Sequence, residues 1–180
     1  DIAQSFSNDR LLVNLLTIVF ILTILLLSFR SLVLPIILLT VIQGAIWINF
    51  SIYAITLTPM LFMSYLIVSA ISMGATIDYA IVVTNRYREL RSQNVAPLEA
   101  GISAISNSFS AILTSSTIMI VAGFVIAFIS TEPYIFTIGM VLGSGTIISL
   151  LMVIFLLPSL LIDFDKLINV TTLKKRKNKK

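Results

Sequence analysis

One carboxylate, Asp78, lies in a stretch of sequence that is otherwise suited to the interior of a membrane. It precedes Arg86, the next charged residue, by eight positions, which corresponds to about 12 Å along a helix. That distance would place it near the middle of a hydrocarbon core about 30 Å thick. Intramembrane carboxylates usually mark proton relays, ion pathways or counter-ions. The alternative is a neutral Asp78 that only hydrogen-bonds to hydroxyl groups of neighbouring helices.

No cationic side chain within the apolar segments is available to neutralise Asp78, and the chain contains no histidine. Transfer of a carboxyl group out of water without a cationic partner favours its neutral form. Asp78 is therefore expected to hold a proton and to release it when water enters. These are the properties of a proton-coupling group.

Several residues are candidates for the surroundings of Asp78. The hydroxyl of Tyr79 could donate to a carboxylate on another helix, or the side chain could simply fill space. Gly74, one turn away, is expected mainly to let a neighbouring helix approach. Asn85 is a helix-end hydrogen bonder or part of a proton exit. A polar run further along the chain could meet Asp78 at similar depth or only pack, and its members are Thr114, Ser115, Ser116 and Thr117.

The composition points to lipid as the solvent. Hydrophobic residues make up 58% of the 180 residues and charged residues only 11%, against about a quarter charged in a soluble domain. The absence of cysteine and histidine removes disulfides, thiol metal sites and the usual proton carrier. We therefore expect no cofactor, no metal and no enzymatic activity, and no nucleic-acid partner.

The positions of the charges delimit the membrane spans, because each charge costs about 2.5 to 3.5 kcal/mol at the centre of a membrane helix. Residues 31–77 carry none, which is too long for one helix of about 20 residues. Pro59 is expected to break this segment, since proline disfavours helix at the residue before it. The prediction is an all-α bundle with five spans, near 11–29, 32–53, 60–84, 110–130 and 134–160.

The remaining segments connect these spans. Residues 86–97 are predicted to form a polar loop, and residues 97–109 a short amphipathic helix at the membrane interface. Residues 1–10 would end an extracytoplasmic region, 11–162 form the transmembrane domain, and 163–180 a basic tail. We expect a longer protein with an extramembrane part before Asp1, since no signal peptide precedes the first span.

The distribution of basic residues predicts the orientation. With the C-terminus inside, eleven basic residues would face the cytoplasm and only Arg10 would face outward. Short loops rich in Lys and Arg remain on the cytoplasmic side. The expected location is the cell membrane, with several spans, an extracytoplasmic N-terminus and a cytoplasmic C-terminus. Membrane lipids are then necessary neighbours, and the basic tail is also a contact for anionic lipids.

Two motifs resemble the MMPL branch of the RND transporter superfamily: Gly74-Ala75-Thr76-Ile77-Asp78-Tyr79-Ala80, and Asn85-Arg86-Tyr87-Arg88-Glu89-Leu90. The resemblance covers about 11–165. Its further marks, in chain order, are Arg30-Ser31, Glu99-Ala100, Thr114-Ser115, Gly123-Phe124, Gly139, Gly143 and Pro158. It implies the last five helices of a six-helix half in a proton-driven exporter of lipids or other hydrophobic compounds.

In that family an Asp and a Tyr of one half pair with a Tyr and an Asp of the other, so the resemblance makes Asp78 and Tyr79 the proton relay. The implied partners are an N-terminal transmembrane half, extracytoplasmic porter domains and a hydrophobic or lipid substrate. Two other functions stay open: a sterol- or lipid-sensing module of the same superfamily, and an accessory of protein secretion. The rest of the gene would discriminate between them.

Overall fold

The computed structural model describes residues 2–29, 31–56 and 62–171, and no strand occurs among them. The helices follow the chain as α1 (Ile2–Phe29), α2 (Val33–Ile55), α3 (Phe62–Ser92), α4 (Pro97–Ile129) and α5 (Pro133–Leu151), then a π-helical turn (Met152–Leu156), α6 (Leu157–Asp163) and α7 (Asp165–Thr171).

Within these ranges, four helical stretches are long and apolar enough to cross a bilayer: Val33–Ile55, Ser64–Ser92, Pro97–Ile129 and Pro133–Asp163. The apolar part of α1, Asn14–Phe29, is shorter. Large apolar side chains such as Leu15, Phe20 and Phe128 point outward, as lipid-facing residues do. These features confirm the predicted all-α membrane bundle.

Helix α3 continues through most of the segment that the sequence predicted as a polar loop, so the prediction was wrong for residues 86–92. Arg, Glu and Leu are good helix formers, and Arg86 pairs with Glu89 one turn later. The helix ends where Asn94 adopts a φ of 62° and the Val95 amide donates to the Leu90 carbonyl at 3.3 Å. This is the left-handed cap that commonly ends helices, and it leaves a short turn before Pro97.

The segment predicted as an interfacial helix forms the first part of α4, which runs without a break from Pro97 to Ile129. Ala100, Ala104 and Ser108 are buried at four-residue spacing, so one side of this part packs against the bundle. The fifth predicted span is also continuous. A π-helical turn precedes Pro158, where proline lacks the amide that would bond one turn back.

The apolar core is built from buried side chains of α1, α2, α3, α4 and α6, and within it α2 packs directly against α1, α3 and α6. Its largest fully buried side chains come from every one of the first three helices and from α6, among them Leu25, Leu38, Ile42, Val83 and Leu157. Because α3 and α4 both rest on this core, they lie side by side. The side chains between them form the site described next.

Candidate functional site

Asp78 projects from the exposed side of α3 into an open cavity of about 230 Å³ between α3 and α4. The lining residues are Ala75, Asp78, Tyr79 and Val82 from α3, with Ala111, Ile112, Ser115 and Met119 from α4. The wall is therefore apolar except for one carboxyl and two hydroxyl groups. In the part of the chain that the structure describes, no group of acidic, His or Cys side chains could hold a metal ion.

Asp78 and Tyr79 are adjacent in sequence but differ in environment. Successive residues of a helix point about 100° apart, so Asp78 is exposed while Tyr79 turns toward the core and is only 5% exposed. Packing around its ring fixes the tyrosine, whereas the carboxylate faces open space. Both still line the same cavity, which therefore holds one exposed acidic group and one buried phenol.

Of the three α4 residues Ser115, Ser116 and Thr117, which were predicted as neighbours of Asp78, one lies beside it. Ser115 lines the cavity. Ser116 is fully buried elsewhere and donates to the Leu113 carbonyl at 3.1 Å. Thr117 is exposed and donates to the same carbonyl at 2.7 Å. Asn85 is exposed on α3, two turns from Asp78 and on the same face, but it does not line the cavity.

Gly74 does not receive a neighbouring helix from the described residues. A methyl group placed there would meet nothing within 4 Å, whereas one at Gly101 would lie 2.7 Å from Cδ1 of Ile162. Within the described residues, the expectation that Gly74 admits a close helix is therefore wrong, and a larger side chain should be more disruptive at Gly101 than at Gly74. The physical reason is that Gly74 shares the unpacked face of α3 with Asp78.

Glycines of α5 form a small-residue face that packs against α4. A methyl group at Gly139 would lie 2.5 Å from the Gly123 carbonyl oxygen and 2.5 Å from the Ala127 amide nitrogen. One at Gly123 would lie 2.7 Å from the Gly143 amide. The two helix backbones thus touch, which is the close approach that small residues permit in membranes. This contact fixes α4, and with it Ser115.

A buried polar network between α2 and α5 was not foreseen. Asn49, 2% exposed, donates from Nδ2 to the Val141 carbonyl at 3.0 Å. Its Oδ1 accepts from the Ser144 hydroxyl at 3.0 Å, and that hydroxyl also lies 2.9 Å from the Tyr53 hydroxyl. An amide at membrane depth in α2 was the signal that could have found it. The network joins two helices on the side of the bundle away from Asp78.

A second network joins the end of α3 to α7. The Arg91 guanidinium forms a bidentate salt bridge with Asp165, in which Nε donates to Oδ1 at 2.8 Å and Nη2 donates to Oδ2 at 2.6 Å. The Tyr87 hydroxyl donates to the same Oδ1 at 2.8 Å, and Arg91 Nη1 donates to the Val95 carbonyl at 2.5 Å. Arg88 lies over the Phe29 ring at 5.6 Å. These contacts anchor the helix that carries Asp78.

Comparison with known proteins adds a family to this geometry. The model of the MMPL family matches residues 1–179. ActII-3 of Streptomyces coelicolor (strain ATCC BAA-471 / A3(2) / M145), whose name describes a membrane protein, is 29% identical over 176 residues. That match covers 92% of the chain but 24% of ActII-3, so the chain spans about a quarter of that relative. No solved structure gives a significant match.

Proposed function

The chain belongs to the MMPL family, and from that premise we propose that it is the transmembrane half of a proton-driven exporter. The proposed substrates are lipids or other hydrophobic compounds, selected mainly by extracytoplasmic porter domains outside this chain. The chain would contribute a carboxylate that binds and releases protons inside the membrane, and the bundle that responds to its charge. Asp78 carries the proton, and Tyr79 completes the relay.

The observation that carries the proposal is the exposure of Asp78 on the outward face of a helix that is long and apolar enough to span a membrane. A charge on a face that meets hydrocarbon is costly, so such residues normally face a bundle interior or a water-filled cavity. Within the described bundle the cavity that holds Asp78 opens outward between α3 and α4, so hydrocarbon would meet the carboxylate unless water or another protein surface covered it. We infer that a surface outside this chain covers part of the site, and the N-terminal transmembrane half is the proposed partner.

The proposed mechanism follows from the charge of Asp78. When the carboxyl group holds a proton it is neutral, and its face can be covered by a packed partner. When the proton leaves, the carboxylate needs hydrogen-bond donors or water, because an uncompensated charge is strongly disfavoured in a low-dielectric site. The Ser115 hydroxyl across the cavity is one such donor. Binding and release of the proton would switch the site between the two packings, and the proton gradient would supply the energy for the movement of the halves.

The anchored ring of Tyr79 suits a second part of the relay. Its position is fixed by core packing rather than by the protonation state of Asp78, and it lines the same cavity, so its hydroxyl would donate to a carboxylate that the partner half brought into that cavity. The proposed location is the cell membrane, with the N-terminus outside and the C-terminus in the cytoplasm. The uneven distribution of basic residues supports that orientation.

The test is Asp78→Asn in the full-length transporter. Asparagine has nearly the same size and reproduces the hydrogen bonds of a protonated carboxyl, but it has no proton to release. Export, normalised to protein level, should fall to background while the thermal melt is unchanged. Tyr79→Phe should reduce export less, since it removes one hydrogen bond, of about 0.5 to 1.5 kcal/mol, rather than the proton carrier.

The matched control is Glu132→Gln, which neutralises an exposed carboxylate just before α5 and should export normally. Normal export by Asp78→Asn would show that the carboxylate is structural. If Asp78→Asn unfolds, Asp78→Glu decides instead. That variant keeps an ionisable group, so it should retain partial export if the proton matters.

A further inference from the structure

Helix α4 changes character abruptly at Thr117. Between Ser103 and Thr117, nine of the fifteen residues are polar, whereas none of the residues from Ile118 to Ile129 is. The difference lies on the exposed surface of the helix as well as in its core. The exposed polar residues of the first part are Ser106, Asn107, Ser110, Thr114, Ser115 and Thr117.

Beyond Thr117 the exposed surface of α4 is purely apolar. Ile118 is 66% exposed, Val121 53% and Val125 46%. Ser110 and Thr114 occupy nearly the same side of the helix as Val121 and Val125, because the spacings of three, four and seven residues keep positions on one face. The same helix face is therefore polar toward the α3–α4 turn and apolar toward the other end.

Helix α3 shows the same division, and Asp78 stands at the boundary. Along its exposed face toward the α3–α4 turn come Val82, Asn85 and Glu89. In the other direction come Gly74 and Ile71, and the face continues with Ile67. Because Asp78 and Ser115 line one cavity, the boundaries on the two helices lie at the same level. The exposed faces of these two antiparallel helices therefore change from polar to apolar at the same level.

Such a face suits water better than lipid. An amide such as Asn107 has several donors and acceptors to satisfy, and hydrocarbon offers none. The hydroxyls of Thr114 and Thr117 donate to carbonyls of their own helix at 2.8 and 2.7 Å, which leaves their oxygen lone pairs available to accept from water. On α3, Asn85 and the charged, exposed Glu89 follow Val82 toward the turn, so the polar residues of the two helices extend to the bulk solvent at the turn end.

We propose that water reaches Asp78 from the side of the α3–α4 turn only, along this polar face, and that the apolar faces of α3 and α4 seal the opposite side. Resting on the proposed function, this makes the polar face the path by which Asp78 exchanges its proton with the cytoplasm. Its length from Asp78 to Glu89 is eleven residues, about 16 Å. The apolar seal prevents a continuous water column across the membrane in this conformation.

The experiment places single cysteines in a cysteine-free version of the full-length protein. Ser110→Cys and Thr114→Cys probe the polar face, and Val121→Cys and Val125→Cys are the matched controls on the apolar part of the same helix side. A hydrophilic, membrane-impermeant thiol reagent is applied to intact cells and, separately, to inverted vesicles. Labelling after unfolding in detergent normalises each rate.

From the cytoplasmic side, Ser110→Cys and Thr114→Cys should react roughly tenfold or more faster than the two controls, since the reactive thiolate requires contact with water. From the outside, all four should be slow. Equal rates at the four positions would overturn the proposal, as would fast reaction at Val121→Cys. Slow reaction at every position from both sides would show that a packed partner, not water, covers the face. Fast reaction of the polar pair from outside would overturn the cytoplasmic assignment.

These readouts are independent of export, so the two proposals fail separately. If Asp78→Asn exports normally while the labelling pattern holds, the water path exists but serves no proton relay. If Asp78→Asn abolishes export while the labelling pattern fails, the relay stands and its protons travel by another route.

Discussion

Gly139→Ala should destabilise the protein, although alanine is the better helix former. The added methyl group would lie 2.5 Å from both the Gly123 carbonyl oxygen and the Ala127 amide nitrogen, and 2.9 Å from the Ala127 Cα. All three atoms belong to the backbone of α4, so no side chain can rotate away. The two helices must separate by several tenths of an ångström or more, and overpacking of this kind costs about 1 to 3 kcal/mol.

Gly74→Ala is the matched control, because it makes the same chemical change on a face with no neighbour within 4 Å. Both variants gain the same intrinsic helix preference of alanine over glycine, about 1 kcal/mol. That gain cancels in the comparison, and the clash alone remains. Gly74→Ala should be as stable as wild type or slightly more stable. The free energy of unfolding of Gly139→Ala should be lower than that of Gly74→Ala by about 1 to 3 kcal/mol.

The assay is unfolding of the purified full-length protein in mixed micelles of mild detergent and SDS, followed by circular dichroism. Equal midpoints for the two variants would refute the contact between α4 and α5. An unfolding midpoint for Gly74→Ala below that of wild type would indicate that the assembled transporter packs another helix against the Asp78 face of α3. In both cases wild type measured in parallel fixes the reference.

Two further contacts make predictions that stability and exchange measurements can check. Asn49→Ala removes the hydrogen bonds to Val141 and Ser144, and it should lower the free energy of unfolding by roughly 1 kcal/mol, at about 0.6 kcal/mol for each interhelical bond in a membrane. The control is Thr40→Ala, since Thr40 is exposed and bonds only within its own helix. Equal stability of the two variants would refute the network. Arg91→Lys replaces the bidentate hydrogen bonds to Asp165 with a single ammonium group, so amide hydrogen exchange in residues 163–168 should accelerate. The control Arg86→Lys should leave that exchange unchanged. Protection equal to wild type in Arg91→Lys would refute the anchoring role of Arg91.

The transmembrane spans could be predicted because the cost of a charge in lipid is large and local. The end of α3 could not be predicted from the charges, because the polar residues 86–92 form helix by local preference and a contact with a residue far away in sequence supports them. Arg91 and Asp165 are 74 positions apart, and their pairing, with the cap at Asn94, holds the helix past the last apolar residue. A charge-based rule predicts where a span leaves the hydrocarbon and says nothing about where the helix itself ends.

Asp78 could be singled out from the sequence because a carboxylate is rare in such a segment, but its neighbours could not. Ser115, Ser116 and Thr117 are consecutive, and each points about 100° from the next. Only the position of α4 on the bundle decides which of them turns toward α3, and that position is set by the glycine contact with α5. The outcome was Ser115 in the cavity, Ser116 buried and Thr117 exposed.

Gly74 is the informative failure. Its residue type predicted a close helix, and the described bundle supplies none, yet the glycine lies one turn from an exposed carboxylate on the same side of α3. A small residue and an ionisable one on an unpacked face are the two features expected of a surface that another helix covers during part of a cycle. The side toward the α3–α4 turn is polar and suited to water, and the side with Gly74 and Ile71 is small and apolar. A partner packed on the apolar side would close the cavity over Asp78 and leave the polar side open to water. One-sided proton exchange requires this asymmetry.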